Sequence, residues 1–253
     1  MFINSFSIII PSFNDLRIIE TIRSIKEQNY PSNKIEIIIM DGGSSQEVIE
    51  AIKNEICSND ILITEPDKGI FDGINKGLKL ANNEILFALG SDDRFHSNEA
   101  LQKINTKFDQ TIDFLCVSIK YTDSHWKPVR NWQATYPSIF NIIFGRQIAH
   151  FGYFARKSMY RNIGYFNLKR TVAADFDYFL RVAKSRYKGS LIVEHLIDMK
   201  IGGNSSKNLK NVIKGNFDIF KAGFLHIGPL IFVHFLFKPF WKIKEFLTKN
   251  YNY

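Results

Sequence analysis

The sequence predicts an α/β fold, with a mostly parallel, Rossmann-like sheet flanked by helices and a C-terminal amphipathic helical extension. Three observations carry this. Short apolar runs alternate with segments of helical periodicity through the first half of the chain, a pattern that builds parallel sheets with crossover helices. One run is followed directly by a carboxylate pair, Asp92-Asp93, at the end of a strand where open α/β sheets bind ligands. From Asn208 onward the alternation gives way to phenylalanine stripes set between lysines.

Residues 7–10 form the first strand, and Pro11, Ser12, Phe13 and Asn14 follow in a turn. Backbone amides and a helix start in such a turn suit a nucleotide. A helix over residues 15–28 places Ile18, Ile22 and Ile25 on one face, with Asn14 as its cap. Residues 35–40 are a strand ending at Asp41-Gly42-Gly43, residues 46–54 a helix, and residues 61–64 a strand. The stretch from Glu65 to Gly77 reads as a loop entering a helix, with Gly69 and Gly73 loosening the entry and Ile70, Ile74, Leu78 and Ala81 at helical spacing. Residues 84–89 are a central strand bounded by Asn82-Asn83 and Gly90. After a strand at 114–120 the pattern loosens around Trp126, Trp132 and Tyr136. A helix at 175–185 and a strand at 191–194 close a domain of residues 1–207, with 208–253 as the extension.

With 253 residues, 45% of them hydrophobic, the chain can bury one substantial core. Cys57 and Cys116 are too few for a disulfide framework, which points to a reducing cytoplasm. The apolar run at 6–10 lacks a basic n-region and is too short for a signal core. A net charge of +8 suits phosphorylated substrates, an anionic membrane face or nucleic acid. Dispersed lysines, with no arginine-rich arm and no aromatic RNP motif, argue against nucleic acid. In the extension, the uncharged run 222–237 is shorter than the ~20 residues of a membrane span and is interrupted by His226, Pro229 and His234. Its aromatics lead straight into Lys238, Trp241, Lys242 and Lys244, which suits a helix lying among lipid headgroups. A terminal helix packed on the domain or on a partner is the alternative.

Asp92 and Asp93 suit a hard divalent cation, Mg²⁺ or Mn²⁺, and such a cation suits a diphosphate. The alternative is a polar turn capping a helix near Asn98. No Ser/His/Asp or Cys/His constellation supplies an enzyme nucleophile, and no G-x-G-x-x-G opens the first helix as a dinucleotide enzyme requires.

The motifs Ile8-Ile-Ile-Pro-Ser-Phe-Asn14, Ile37-Ile-Ile-Met-Asp-Gly-Gly-Ser44, Glu65-Pro-Asp-Lys-Gly-Ile-Phe-Asp72, Asn75-Lys-Gly77, Ser91-Asp-Asp93, Ala174-Asp175 and Gly202-Gly-Asn-Ser-Ser206 resemble, in their order, those of family 2 glycosyltransferases of the GT-A fold. The short non-processive enzymes that build bacterial surface polysaccharides are similar. The resemblance implies a metal-dependent, inverting transfer of one sugar from a nucleotide-sugar donor, UDP-linked first of all. The implied acceptor is a saccharide or a lipid-linked saccharide at the inner face of the cytoplasmic membrane. The processive Gln-x-x-Arg-Trp motif is absent.

The resemblance also assigns residues. It implies that Asp41 contacts the nucleobase, where a carboxylate can accept the imide N–H of uracil; an ordinary Asp-Gly turn is the alternative. Phe13 stands where many relatives have Tyr, keeping the stacking ring without its hydroxyl. Lys68 and Asn75 flank the loop-helix entrance, with Lys68 facing either nucleotide or solvent. Asp72, beside Gly69, either holds the loop or touches the donor sugar. Gly90 occupies the first aspartate position of the metal-binding Asp-X-Asp motif and Asp92 the second, with Asp93 following. Asp175 is implied to be the catalytic base, although the usual preceding Glu is Ala174; a helix cap with Asp177 as first-turn anion is its alternative. His150 stands where similar enzymes have His-Gln, and serves either the diphosphate, the acceptor or the core. Residues 202–206 resemble a glycine-serine loop that folds over the diphosphate. Two rivals remain, a sugar nucleotidyltransferase and a catalytically inactive, membrane-bound nucleotide-sugar-binding subunit.

Overall fold

The computed structural model describes residues 3–170, 172–202 and 209–248. The first half follows the alternation: β1 (Phe6–Ser12), α1 (Ile18–Lys26), β2 (Ile35–Asp41), α2 (Gln46–Glu55), β3 (Ile61–Thr64), α3 (Ile70–Leu80) and β4 (Ile85–Ala88). The second half is denser than its sequence pattern. It holds β5 (Arg94–Phe95), α4 (Ala100–Lys107), β6 (Phe114–Thr122), β7 (Pro128–Trp132), α5 (Ile139–Ile143), β8 (Tyr153–Arg156) and α6 (Lys157–Ile163). Then come α7 (Ala174–Ala183), β9 (Gly189–Lys200), α8 (Leu209–Ile227) and α9 (Ile231–Leu247).

The strand order is β3-β2-β1-β4-β8-β6-β9-β5, with β7 added to β6. Strands β1 to β4 are parallel. Strand β8 runs antiparallel between β4 and β6, so β6, and β9 parallel to it, point the same way as β1 to β4. Six carboxyl ends, at Ser12, Asp41, Thr64, Ala88, Thr122 and Lys200, therefore share one edge. The sheet is mixed where β5, β7 and β8 join it, and β9 extends to 12 residues where the apolar pattern marks four.

Two cores cover the two faces. Ile8, Ile10 and Phe87 lie in one, against Ile18, Ile22 and Ile25 of α1. Ile9, Met40 and Leu86 lie in the other, with Ile74 and Leu78 of α3 and Tyr178 of α7. Strand alternation alone produces this division, and a fully buried isoleucine such as Ile9 (0% exposed) is worth ~2 kcal/mol in apolar transfer. Helix α3 approaches closely because Gly77 has no side chain; a Cβ there would lie 2.5 Å from Ile9 Cγ2.

The first helix starts later than its apolar pattern. Asn14 has φ 48°, a left-handed conformation that asparagine tolerates, and its Oδ1 accepts from Ser45 N at 2.8 Å. It joins two turns and does not cap α1. The Asp92-Asp93 turn likewise does not cap the next helix, α4, whose cap position is Glu99.

Within the stretch from Val212 to Leu247, an 18-residue window reaches a mean hydropathy of 1.6, long and apolar enough to cross a membrane by length and composition. The turn at Gly228–Leu230 divides it into α8 and α9. Ala222 and Ile231 enter the second core, while Ile213, Phe217, Leu225, Phe232, Leu236, Phe240, Ile243 and Leu247 are exposed.

Candidate active site

At the carboxyl ends of β1 and β2, a hydrogen-bond network fixes two turns. Asp41 Oδ2 accepts from the backbone N–H of Gly43 (3.0 Å) and Ser44 (2.9 Å), and Ser44 Oγ donates to Asp41 Oδ1. The backbone N–H of Asn14 donates to Ser44 Oγ at 2.7 Å. Asp41 is thus held rigidly: Oδ2 has both lone pairs engaged, and Oδ1 keeps one for a further donor. Beside it, Phe13 is 63% exposed, an unusual amount for a ring at a strand end, and its Cδ2 lies 3.4 Å from a Cβ built on Gly42. Ser12 Oγ is buried without a hydrogen-bond partner.

The loop before α3 folds over the same edge. Asp67 Oδ1 accepts from Gly69 N at 2.8 Å, and its other oxygen would lie 3.0 Å from a Cβ on Gly42 and 3.4 Å from one on Gly73. Gly69 has φ 110°, which favours glycine. Asp72 Oδ2 accepts from Lys68 N at 3.0 Å and pairs with Lys76 at 3.6 Å, so Asp72 holds the loop. Lys68 is exposed. Asn75 is buried. Its Nδ2 donates to Phe166 O at 2.8 Å and its Oδ1 accepts from Phe166 N at 3.0 Å. Buried and doubly bonded, its amide ties α3 to the chain before α7.

The carboxylate pair lies just past β4. Asp93 is 2% exposed; its Oδ1 accepts from Lys200 N at 3.1 Å, and its Oδ2 is buried with no partner. Burial, then the charge of Asp92, holds its pKa well above the ordinary carboxylate range. Burial also raises that of Asp92, with Arg17 opposing. Two residues that the sequence reading passed over complete the cluster. Arg17 Nη1 lies 3.0 Å from Asp92 Oδ2 and Arg17 Nε 2.8 Å from Asp15 Oδ1, while Ser91 Oγ donates to Asp15 at 3.2 Å. Asp15 and Arg17 follow Asn14 directly, where charges read as an ordinary helix start.

The donors fit a hard cation, because a buried carboxylate oxygen without a hydrogen-bond donor is what such an ion satisfies. Among the described residues no group of three potential ligands is assembled, so further ligands would come from a diphosphate and water. Gly90 explains the altered motif. A Cβ there would lie 2.4 Å from Asp93 Oδ2, so a residue larger than glycine displaces the carboxylate. Gly90→Ala is expected to weaken Mn²⁺ binding at least tenfold with only modest loss of stability; unchanged affinity in calorimetry would detach Asp93 from the metal.

The turn His150–Gly152 precedes β8 and so lies at the same edge. His150 packs among Phe71, Phe151 and Phe166; both ring nitrogens are buried without partners, and burial lowers its pKa to about 4. It is neutral. Helix α7 runs back toward the start of β9, which leaves its first turn, with Asp175, at the carboxyl edge. Asp175 Oδ1 accepts from Phe176 N at 2.7 Å, and burial pushes its pKa up to about 6, with Lys238 opposing. It is not the helix cap, a position held by Ala173. The buried carboxylate of Asp177 is engaged by Arg181 at 3.1 Å and His226 at 3.3 Å. Lys238, from α9, donates to Asn216 Oδ1 at 2.9 Å. Gly202 has φ 109°, and residues 203–206 of the glycine-serine motif lie outside the described residues.

The model of the family described as glycosyl transferase family 2 matches residues 7–168. A PGL/p-HBAD biosynthesis glycosyltransferase of Mycobacterium tuberculosis is 28% identical over 185 residues, 70% of this chain and 68% of its own. The S. aureus TarS 1-349 structure in complex with UDP-GlcNAc superposes with TM-score 0.68 at 18% identity, over 92% of this chain and 71% of that one. The mannosyltransferase PcManGT from Pyrobaculum calidifontis, in complex with GDP-Man and Mn²⁺, gives 0.65 at 14% identity, over 92% and 73%. Against a longer TarS chain, this chain spans 43% of the length.

Proposed function

The chain belongs to glycosyl transferase family 2 and has the GT-A fold, and from that premise we propose a metal-dependent, inverting transfer of one sugar from a UDP-sugar to a saccharide or lipid-linked acceptor. The observation that carries the reading is the unpartnered Asp93 Oδ2 beyond β4, on the edge shared by Ser12, Phe13 and Asp41. Phe13 stacks on the base and Asp41 accepts its imide N–H. Asp93 and Asp92 would hold Mg²⁺ or Mn²⁺, whose charge steadies the departing diphosphate. Asp175 takes the proton of the acceptor hydroxyl as its oxygen bonds the anomeric carbon opposite the leaving group. The electron pair of the sugar–phosphate bond departs with the diphosphate. The TarS neighbour, held with UDP-GlcNAc, supports the choice of donor, and the PcManGT neighbour, held with GDP-Man and Mn²⁺, supports that of the cation.

A thermal-shift panel of UDP-, GDP- and dTDP-sugars with Mn²⁺ tests the reading. The UDP-sugars are expected to raise the melting temperature most, and only with metal. Absence of any nucleotide effect overturns it.

The exposed apolar side of α8 and α9 supports attachment to the inner membrane face. Lysines near an anionic leaflet contribute about 1 kcal/mol each. Full-length protein is expected to sediment with anionic vesicles at low salt and to release at high salt. Leu236→Glu with Leu247→Glu, at positions 74% and 75% exposed, should remain in the supernatant without loss of melting temperature. Protein that ignores such vesicles removes the membrane role.

A further inference from the structure

Two cavities meet at Arg146 and Trp241. One is an apolar groove of ≈ 560 Å³ between α5 and α9, walled by Phe140, Phe144, Leu236 and Phe240, within the roughly 300–1,000 Å³ of ligand pockets. The other is a small polar cleft of ≈ 40 Å³ bordered by Gln147 and Lys244. The groove walls are left in water, with Phe140 69% and Leu236 74% exposed.

Arg146 is the anomaly. Its guanidinium stacks 4.6 Å from the Trp241 ring, and Trp241 is fixed in turn by donating to Phe144 O at 2.7 Å. Burial alone acts on Arg146, lowering its pKa, and among the described residues no carboxylate pairs with it. The acid in the adjoining cleft, Glu245, is paired with Arg130 at 2.9 Å. A half-buried guanidinium without a counter-ion is costly, and a phosphate that it can grip with two N–H bonds offsets that cost. The ligand that matches both features has a single hydrocarbon chain and a phosphate at its end. The groove also adjoins the site described above, since Phe237 lines it and the next residue, Lys238, acts on Asp175.

We propose that this groove and Arg146 bind a single-chain lipid phosphate, the chain along Phe140, Phe144 and Phe240 and the phosphate on Arg146. The lipid is the carrier of the acceptor, so the inference rests on the glycosyltransferase reading. Such a carrier would present its sugar beside Asp175, while the exposed faces of α8 and α9 meet the bilayer from which it comes.

The probe is farnesyl phosphate below its micelle concentration, followed by tryptophan fluorescence, with farnesol and inorganic phosphate as comparators. Farnesyl phosphate is expected to bind at least tenfold tighter than either. Arg146→Gln should bring it down to the farnesol level and Arg146→Lys should restore part of the difference, with melting curves reporting the fold. Phe240→Asn should weaken both lipids while leaving Mn²⁺-dependent UDP binding unchanged. Equal affinity for farnesol and farnesyl phosphate, or a difference that survives Arg146→Gln, overturns the proposal. So does a dimer that Phe240→Asn dissociates, since a second copy then fills the groove. If UDP binding persists while the lipid fails to bind, only the groove assignment falls; if neither binds, the donor-site reading falls as well.

Discussion

Asp93→Ala is expected to abolish transfer and metal-dependent UDP binding, with a loss of at least ~10²-fold, since even partners that merely orient metal ligands cost 10–100-fold. Asp93→Asn separates function from fold. It keeps the shape against Gly90 and the contact with Lys200 N but removes a carboxylate whose burial strongly disfavours its charge. The Asn variant should therefore melt no lower than the parent while losing most of its Mn²⁺ affinity. Without nucleotide or metal, the parent buries a carboxyl whose charged form burial disfavours, and a cation bound to it would link ligand and stability through mass action. Near-normal turnover in the Ala variant would remove the metal from Asp93.

Much of this site is legible in the sequence because parallel strands deliver their carboxyl ends to one edge. Pro11 to Asn14, Asp41 and Asp92-Asp93 each end an apolar run of central-strand character, so strand recognition alone places them together. The contacts that the sequence does not show have local causes. Asn75 sits on a helix face that reads as polar, yet its partner Phe166 is 91 residues away, and no local pattern records that contact. Asp15 and Arg17 form their network with Ser91 and Asp92 across the sheet edge, so sequence shows only a charged helix start. Arg146 has no motif at all; its significance lies in having no carboxylate partner among the described residues. Strands β7 and β8 escaped because Pro128–Trp132 and Tyr153–Arg156 are short and lack clean alternation; both gain their definition from pairing with β6.

Asp175→Asn is expected to leave donor affinity intact and to lower turnover by roughly the 10²–10⁴ of a lost general base. Its pH dependence supplies a second reading. The folded-state pKa of about 6 lies above the ordinary carboxylate value of 3.8, because burial disfavours the charged form. The stability that this neutral carboxyl contributes is fully present below pH 3.8 and is lost as pH rises through about 6. At pH 8 the charged, partly buried Asp175 then costs up to about 3 kcal/mol, at about 1.4 kcal/mol per pKa unit. Asp175→Asn should raise the melting temperature at pH 8 and leave it nearly unchanged at pH 4. Activity runs the opposite way, since only the charged carboxylate accepts a proton. Turnover of the parent should climb through about pH 6 and level above it, whereas the residual turnover of the Asn variant should lack that step. A parent profile that is flat between pH 5 and 7, or a variant that retains both full turnover and the step, would assign the base to another residue. A variant that gains stability at pH 8 while losing turnover would show Asp175 as a group held in its charged form at a cost to the fold, as a general base at a buried helix start requires.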